Sequence, residues 1–333
     1  MKKLIGNIKF YYNSHKLVIL IVAGLLVVAF PFIFPQESVM AIAVRVLIYM
    51  ILATGLNLTN GFIGLGNLGT AGFMCIGAYT AAILSKNCGM PFFVCLIAAG
   101  ILSAIMGGLI AFPTARAAGF YFSITTLGFS EIIRLIALNW ISLTRGSNGI
   151  VAIPRPKFLF ITLKTSTQYY YFILILLVLV IFCVKRILAS RVGRAWMSIR
   201  ENQDAARSLG VPILLYKALN FMTMGFIIGI GGAMMAYYYR YISPEMFQID
   251  NGHQVMAMVN LGGLGTIAGP LLGATIISVA METLRFMQRY RMIVYALVVL
   301  IMMWVRPQGI IGAKNTVMSE EKKGKKADKK EVK

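Results

Sequence analysis

The ten residues GLGNLGTAGF at 64–73 contain the spacing Gly64-x-Gly66-x-x-Gly69. After a β-strand and at the head of a helix, that spacing marks a dinucleotide loop. Here no strand precedes it, and long apolar runs flank it on both sides. The chain of 333 residues is 59% hydrophobic and 13% charged, with a mean hydropathy of +0.78. That composition belongs to an integral membrane protein. In a bilayer, glycine lets helices approach closely, and it lets the backbone unwind where protein or a cavity satisfies it. The glycines of 64–73 are therefore read as membrane-protein architecture and not as a phosphate cradle.

Working outward, segments long enough to cross an apolar layer of about 30 Å fall at about 17–35, 39–59, 62–84, 92–112, 119–139, 169–185 and 218–239. Beyond residue 254 come three shorter pieces. The first is broken by GGLGTIAGP, the second runs from about 269 to 284, and the third covers 292–305. The expected fold class is all-α: a polytopic helical membrane protein of about ten transmembrane or half-spanning helices with two pseudo-symmetric halves. With the N-terminus inside, 21 of the 32 Lys and Arg residues fall on the inner side, as the positive-inside bias requires. A single crossing over 254–284 would divide them evenly. The basic stretch 139–168 falls outside and runs against that bias.

Three regions are expected. Residues 1–16 form a basic cytoplasmic N-terminus. Residues 17–306 form the transmembrane domain, with an inner loop at 185–217. Residues 307–333 form a basic cytoplasmic tail, disordered from about 319, where SEEKKGKKADKKEVK lacks apolar periodicity. Its lysines can meet anionic membrane lipid or simply be solvated. The net charge of +21 is split among membrane-flanking loops and the tail and forms no nucleic-acid motif. Cys75, Cys88, Cys95 and Cys183 lack metal or disulfide spacing and read as buried thiols.

The glycine stretch has a second copy. Displaced by 196 positions, LGNLGT at 65–70 falls on LGGLGT at 261–266, and Gly77-Ala78 falls on Gly273-Ala274, without a gap. The match is either coincidence between common residues or the trace of a duplicated half. Irregular, glycine-rich helices at corresponding places in two halves point to a translocation path. Candidate path residues are Gly66, Asn67, Gly69 and Thr70 in one copy and Gly262, Gly263, Gly265 and Thr266 in the other. In the ten-span arrangement both copies precede a crossing from inside to outside. Gly265, Gly269 and Gly273 form two small-xxx-small steps, as Gly225 and Gly229 form one.

Ionisable residues within spans are Arg45, Glu131 and Arg134. Glu131 and Arg134 stand at i, i+3 and share a helix face. They read either as a polar element of the path or as a structural ion pair. No H-E-x-x-H, G-x-S-x-G or G-x-x-x-x-G-K-[ST] motif occurs. The chain is thus not read as an enzyme, no cofactor is expected, and any ATP must be bound by another chain. A membrane-embedded enzyme would need clustered acids or histidines, and only Glu201 and Asp204 approach that.

The inner loop, KRILASRVGRAWMSIRENQDAARSLGVPILLYK at 185–217, is long, basic and helical in its middle, with a glycine stop at Gly210. Asp204-Ala205-Ala206 followed by Gly210 resembles the E-A-A-x-x-x-G motif of ABC importer permeases, with Asp204 in place of Glu. GRAWMSIRENQDAARSLGV is similar to the same loop in branched-chain amino-acid permeases. GLNLTNGFIGLGNLGTAGFMCIGAYTAAIL, TLGFSEIIRLIALNW, TRGSNGIVAIP, LGGLGTIAGPLLGA and RPQGIIG extend the resemblance, to the LivM-type subunit, over about 51–312, and the TLGFSEIIR and GSNGI pieces favour that subunit over its LivH-type sibling.

The resemblance implies an ATPase-docking helix at 194–212, carrying Arg194, Arg200, Glu201, Asp204, Ala205, Ala206 and Gly210. It implies as partners a homologous LivH-type permease, two ATPase subunits and an extracytoplasmic solute-binding protein, in a bacterial cytoplasmic membrane. It implies leucine, isoleucine or valine as solute. Urea, short amides or another amino acid remain open as solutes. A partner-free channel or carrier would have no need of the docking loop.

Overall fold

A computed structural model describes residues 27–115, 119–158, 161–283, 300 and 309–311. The expected basic N-terminus at 1–16, all but one residue of the span at 292–305, most of the first span and nearly all of the tail lie outside the described residues. A helical stretch at 27–33 comes first, and eleven α-helices follow it among the described residues. They are α1 (Glu37–Asn57), α2 (Thr70–Asn87), α3 (Phe92–Ala115), α4 (Phe120–Asn139), the short α5 (Ile141–Thr144), α6 (Ser166–Ala189), α7 (Arg191–Glu201), α8 (Gln203–Ser208), α9 (Ile213–Tyr239), α10 (Ile249–Gly262) and α11 (Ala268–Thr283). The only strands among the described residues are two-residue pairs, so the chain is all-α.

Among the described residues, five stretches are long and apolar enough to cross a membrane: Glu37–Ile63, Phe92–Thr114, Phe120–Asn139, Ser166–Ala189 and Ile213–Tyr239. Their starts follow local chemistry. Glu37 places an acid in the first turn of α1, where the helix dipole favours it. Thr165 and Gln168 close a reciprocal capping box on α6. α10 and α11, with 14 and 16 residues, are about 21 and 24 Å long at 1.5 Å per residue. Each falls short of the apolar layer, as the broken pattern after residue 254 predicts.

α1 and α9 form the centre. α9 packs on α3, α2 and α1; α11 packs on α1 and α10; α4 lies outside α2. Close approach rests on small residues. A Cβ on Gly77 would fall on the Gly229 backbone, one on Gly225 on Ser103, and one on Gly232 on Met74. Gly269 and Gly273 play the same part between α11 and α10, as the small-xxx-small spacing predicts. Gly265 does not; it lies in the preceding loop at φ +72. Cys75 and Cys95 are buried as expected, whereas Cys88 and Cys183 are exposed.

The basic stretch 139–168 and the loop 185–217 lie at opposite ends of the bundle, joined by the 24 residues of α6. At the 139–168 end, β1 (Ile150–Val151) pairs with β4 (Tyr241–Ile242), and β2 (Lys157–Phe158) with β3 (Ile161–Thr162). Lys86 Nζ donates to Val151 O at 2.5 Å and Arg240 Nε donates to Ile153 O at 3.1 Å, which ties the strap to α2 and α9.

Candidate functional site

At the end that carries residues 190–210, α1 does not run straight into α2. It widens into a π-helical turn at Leu58–Ile63 and stops at Gly64 with φ +79. The second helix begins only at Thr70. The span expected at 62–84 thus starts eight residues later, because 64–69 is irregular. π-turns are rare and concentrate at functional sites. This one leaves backbone groups that neighbouring side chains satisfy. Asn67 N–H donates to Asn60 Oδ1 at 3.0 Å, Asn67 Oδ1 accepts from Gly69 N–H at 2.8 Å, and Asn67 Nδ2 donates to Met224 Sδ at 2.9 Å. From α4, Ser123 Oγ donates to Gly66 O and Thr126 Oγ1 accepts from Leu68 N–H. Thr59 and Asn220 bond side chain to side chain at 2.8 Å beneath the loop.

The second copy lies against the first. Asn57 Nδ2 donates to Thr266 O at 2.8 Å, and its Oδ1 accepts from Gly265 N–H at 3.1 Å. One buried amide therefore joins loop 263–267 to the foot of α1. Thr266 Oγ1 accepts from Gly269 N–H and lies within bonding distance of Gly263 O and Ile311 O. Ile310 and Ile311 N–H donate to Leu261 and Gly262 carbonyls, so residues 309–311 strap this loop. Both copies connect a helix running toward the 190–210 end with one running away from it.

Loop 190–210 reaches both. α7 is anchored by Trp196, fully buried, whose Nε1 donates to Tyr216 O at 2.9 Å. Arg200 at its end lies across the two glycine loops. A Cβ on Gly64 would fall 2.9 Å from Arg200 Cγ, and a Cβ on Gly265 2.5 Å from Arg200 Nη1. The expected single helix over 194–212 is in fact two. Asn202 leaves the helix at φ −158, ψ 113, and its Oδ1 caps α8 through the Asp204 and Ala205 N–H groups. Asparagine prefers a cap to a helix interior, and the break turns α8 away from α7. Gly210 ends the segment at φ +80 with open space beside it.

Of the residues expected to dock an ATPase, Arg194, Glu201, Asp204, Ala205 and Gly210 are exposed, Arg200 is turned partly inward and Ala206 is buried. Leu209, which the sequence reading did not single out, is 83% exposed; a lone leucine beside a glycine stop gives no signal in sequence. Among the expected path residues, Gly66 is exposed, Gly265 and Thr266 are half-buried, and Asn67, Gly69, Thr70, Gly262 and Gly263 are buried. Glu131 and Arg134 form a two-pronged ion pair on α4, with Arg134 Nε to Glu131 Oε2 at 3.0 Å, away from both loops.

Five apolar span-length helices among the described residues, a sequence without a nucleotide motif and a surface-exposed helical elbow packed on two unwound loops are features that suit a membrane-transport permease. Residues 38–303 match the model of the family described as "Branched-chain amino acid transport system / permease component", and the chain belongs to that family. It is a multi-pass protein of a cytoplasmic membrane, a transport permease and not an enzyme. It is 36% identical to the high-affinity branched-chain amino acid transport system permease protein LivM of Salmonella typhimurium, covering 85% of this chain and 72% of that one. It is 27% identical to LivH of the same organism, covering 79% and 91%. It is 22% identical to a probable branched-chain amino acid transport permease LivM of Methanocaldococcus jannaschii, covering 83% and 94%. No solved structure matches the chain.

Proposed function

We propose that this chain is one of the two permease subunits of an ATP-driven importer of leucine, isoleucine and valine. It would assemble with a LivH-type permease, two ATPase subunits and an external solute-binding protein. The solute follows the names of the relatives. The sequence carries no nucleotide motif, which supports ATP binding by a separate chain.

The observation that carries the mechanism is Arg200 lying across Gly64 and Gly265. The elbow of α7 and α8 meets the cytoplasmic ATPase through Leu209, Asp204 and Glu201. When the ATPases close, the elbow moves, and Arg200 passes the displacement to both glycine loops at once. Those loops join oppositely running helices, so a small shift there tilts α1 with α2 and α10 with α11 together and opens the path on alternate sides. The LivH-type neighbour covers the remaining side of the path.

The test is co-purification. Leu209→Asp changes only exposed surface, and Gly210→Val forces a branched side chain into a left-handed conformation at about 1–3 kcal/mol. Both should leave membrane insertion intact and lose the ATPase subunits. ATPase recovery equal to that of the parent in both variants refutes docking at the elbow.

A further inference from the structure

At the end of the bundle opposite residues 190–210, α1, α9, α10 and α11 enclose a cavity of about 300 Å³. The volume is at the lower end for small-molecule sites, enough for one small solute. Its lining includes an ion pair between helices far apart in sequence: Arg45 Nη1 lies 3.0 Å from Glu282 Oε2. Neither charge is closed off; the side chains are 29% and 22% exposed. Of the five N–H donors of a guanidinium, the structure engages Arg45 Nε, toward Ala41 O, and Nη1. Ser278 Oγ also lines the cavity, and it is buried with no hydrogen-bond partner among the described residues. Ile42 and Met281 supply apolar wall, and Tyr49 and Tyr239 supply rings.

A second cavity, of about 380 Å³, lies on the other side of Arg45 and Tyr239. Its lining holds Arg155, Lys164 and Arg240 beside Arg45, and no acid. Such a one-signed vestibule concentrates anionic groups. The arrangement thus passes from a cationic mouth to a pocket with one positive group, one negative group and an apolar wall.

We propose that the Arg45–Glu282 cavity is a solute subsite for an α-amino acid zwitterion with a short apolar side chain. The carboxylate enters first, drawn by the vestibule, and takes Arg45. The ammonium takes Glu282, Ser278 Oγ bonds the carboxylate, and the side chain lies against Ile42 and Met281. Ionisable residues are retained inside a membrane domain where they serve such a purpose, and the same pair holds α11 to α1 whether the site is full or empty. This subsite rests on the importer reading for its solute, but its chemistry is fixed by residues far from the elbow.

The test uses the full chain with its co-expressed transporter subunits in lipid nanodiscs, without binding protein. Tritiated L-leucine is the probe. The competitors are 4-methylpentanoate, which lacks the ammonium, and 3-methylbutylamine, which lacks the carboxylate. Each competitor should bind at least about tenfold more weakly than leucine, because it leaves one charge of the site unmatched. Glu282→Gln should weaken leucine at least about tenfold while leaving 4-methylpentanoate unchanged or tighter. Arg45→Gln should weaken leucine as much and spare 3-methylbutylamine. Ile42→Trp narrows the cavity without touching the ion pair, so its loss of leucine cannot come from a broken tie between α1 and α11. An absence of leucine binding to the parent complex, or leucine affinity unchanged in all three variants, overturns the subsite and leaves the pair as a packing tie. ATPase co-purification is scored on the same samples: its loss from the parent complex speaks against the importer, while the ligand series judges the subsite separately.

Discussion

The two glycine loops share LGxLGT and share an end of the bundle, yet they are held in different ways. At the one position where the motifs differ, Asn67 in the first loop corresponds to Gly263 in the second. Asn67 is a tether, its amide engaging Gly69 N–H and Met224 Sδ inside the body. Gly263 has no side chain and sits at φ 118, ψ 118, with the Gly309 backbone against it. Thr70 starts a helix with no partner for its Oγ1 among the described residues, whereas Thr266 bonds the strap at Ile311. The first loop is fixed by the bundle. The second is fixed by a distant segment of chain, and among the described residues its hydrogen bonds to α1 are those of Asn57. Repetition of a sequence reproduced a position; the partners that each copy met decided how firmly it is held.

Exchanging the differing residues breaks the comparison most sharply. Gly263→Asn forces a side chain into a conformation open only to glycine, beside a Gly309 that already stands too close to Gly263 to carry a Cβ of its own. It should cost more than about 3 kcal/mol and abolish folded protein in detergent chromatography. The reverse change, Asn67→Gly, leaves Gly69 N–H buried without its acceptor and should cost about 1–3 kcal/mol, seen as a lower melting temperature with the fold retained. Equal losses in the two variants would mean that the loops are held alike.

Cutting the link between the loops has the next largest effect. Asn57→Ala removes both hydrogen bonds of the Asn57 amide and should destabilise by about 2 kcal/mol, while raising the labelling of a cysteine introduced at 263–267 and leaving that of one introduced at 64–69 unchanged. Labelling that rises equally at both loops would contradict a single-amide connection. Arg200→Ala should change melting by less than about 1 kcal/mol, as expected for a half-exposed side chain, yet lower leucine uptake several-fold with ATPase subunits still bound. Unimpaired uptake would remove Arg200 as the carrier of motion.

The smallest effect is expected at Glu131 and Arg134, which touch neither loop. The pair is partly exposed and lies on one helix. A double-mutant cycle should give a coupling of only about 0.5 kcal/mol. A coupling above about 2 kcal/mol would show the pair to be enclosed by something beyond this chain.

The contrast between ion pairs explains how much of the site was legible in advance. Glu131 and Arg134 are neighbours on a helix by spacing alone, and the structure pairs them. Arg45 was visible as a charge within a span, but its partner Glu282 is 237 positions away, and nothing local connects them. The repeat pointed to Gly64–Thr70 and to 261–266, yet not to Asn57, whose role exists only because the two loops meet. The docking segment was readable as polar, basic and glycine-stopped. Its break at Asn202 was available as a capping signal that the helical expectation overrode.

By itself the sequence determined the class of fold, through runs of apolar residues whose length must match a bilayer. It determined the family, through motifs spread along the chain, and the places where helices must approach closely or end, through glycine. Those are properties of single segments, fixed by local periodicity and backbone freedom. That Asn57 bridges the copies, that Arg200 lies across both and that Arg45 pairs with Glu282 beside a cavity came from the packing of the helices. Each is a contact between helices distant in sequence, and in a bundle the geometry of such contacts is set by how every helix packs at once.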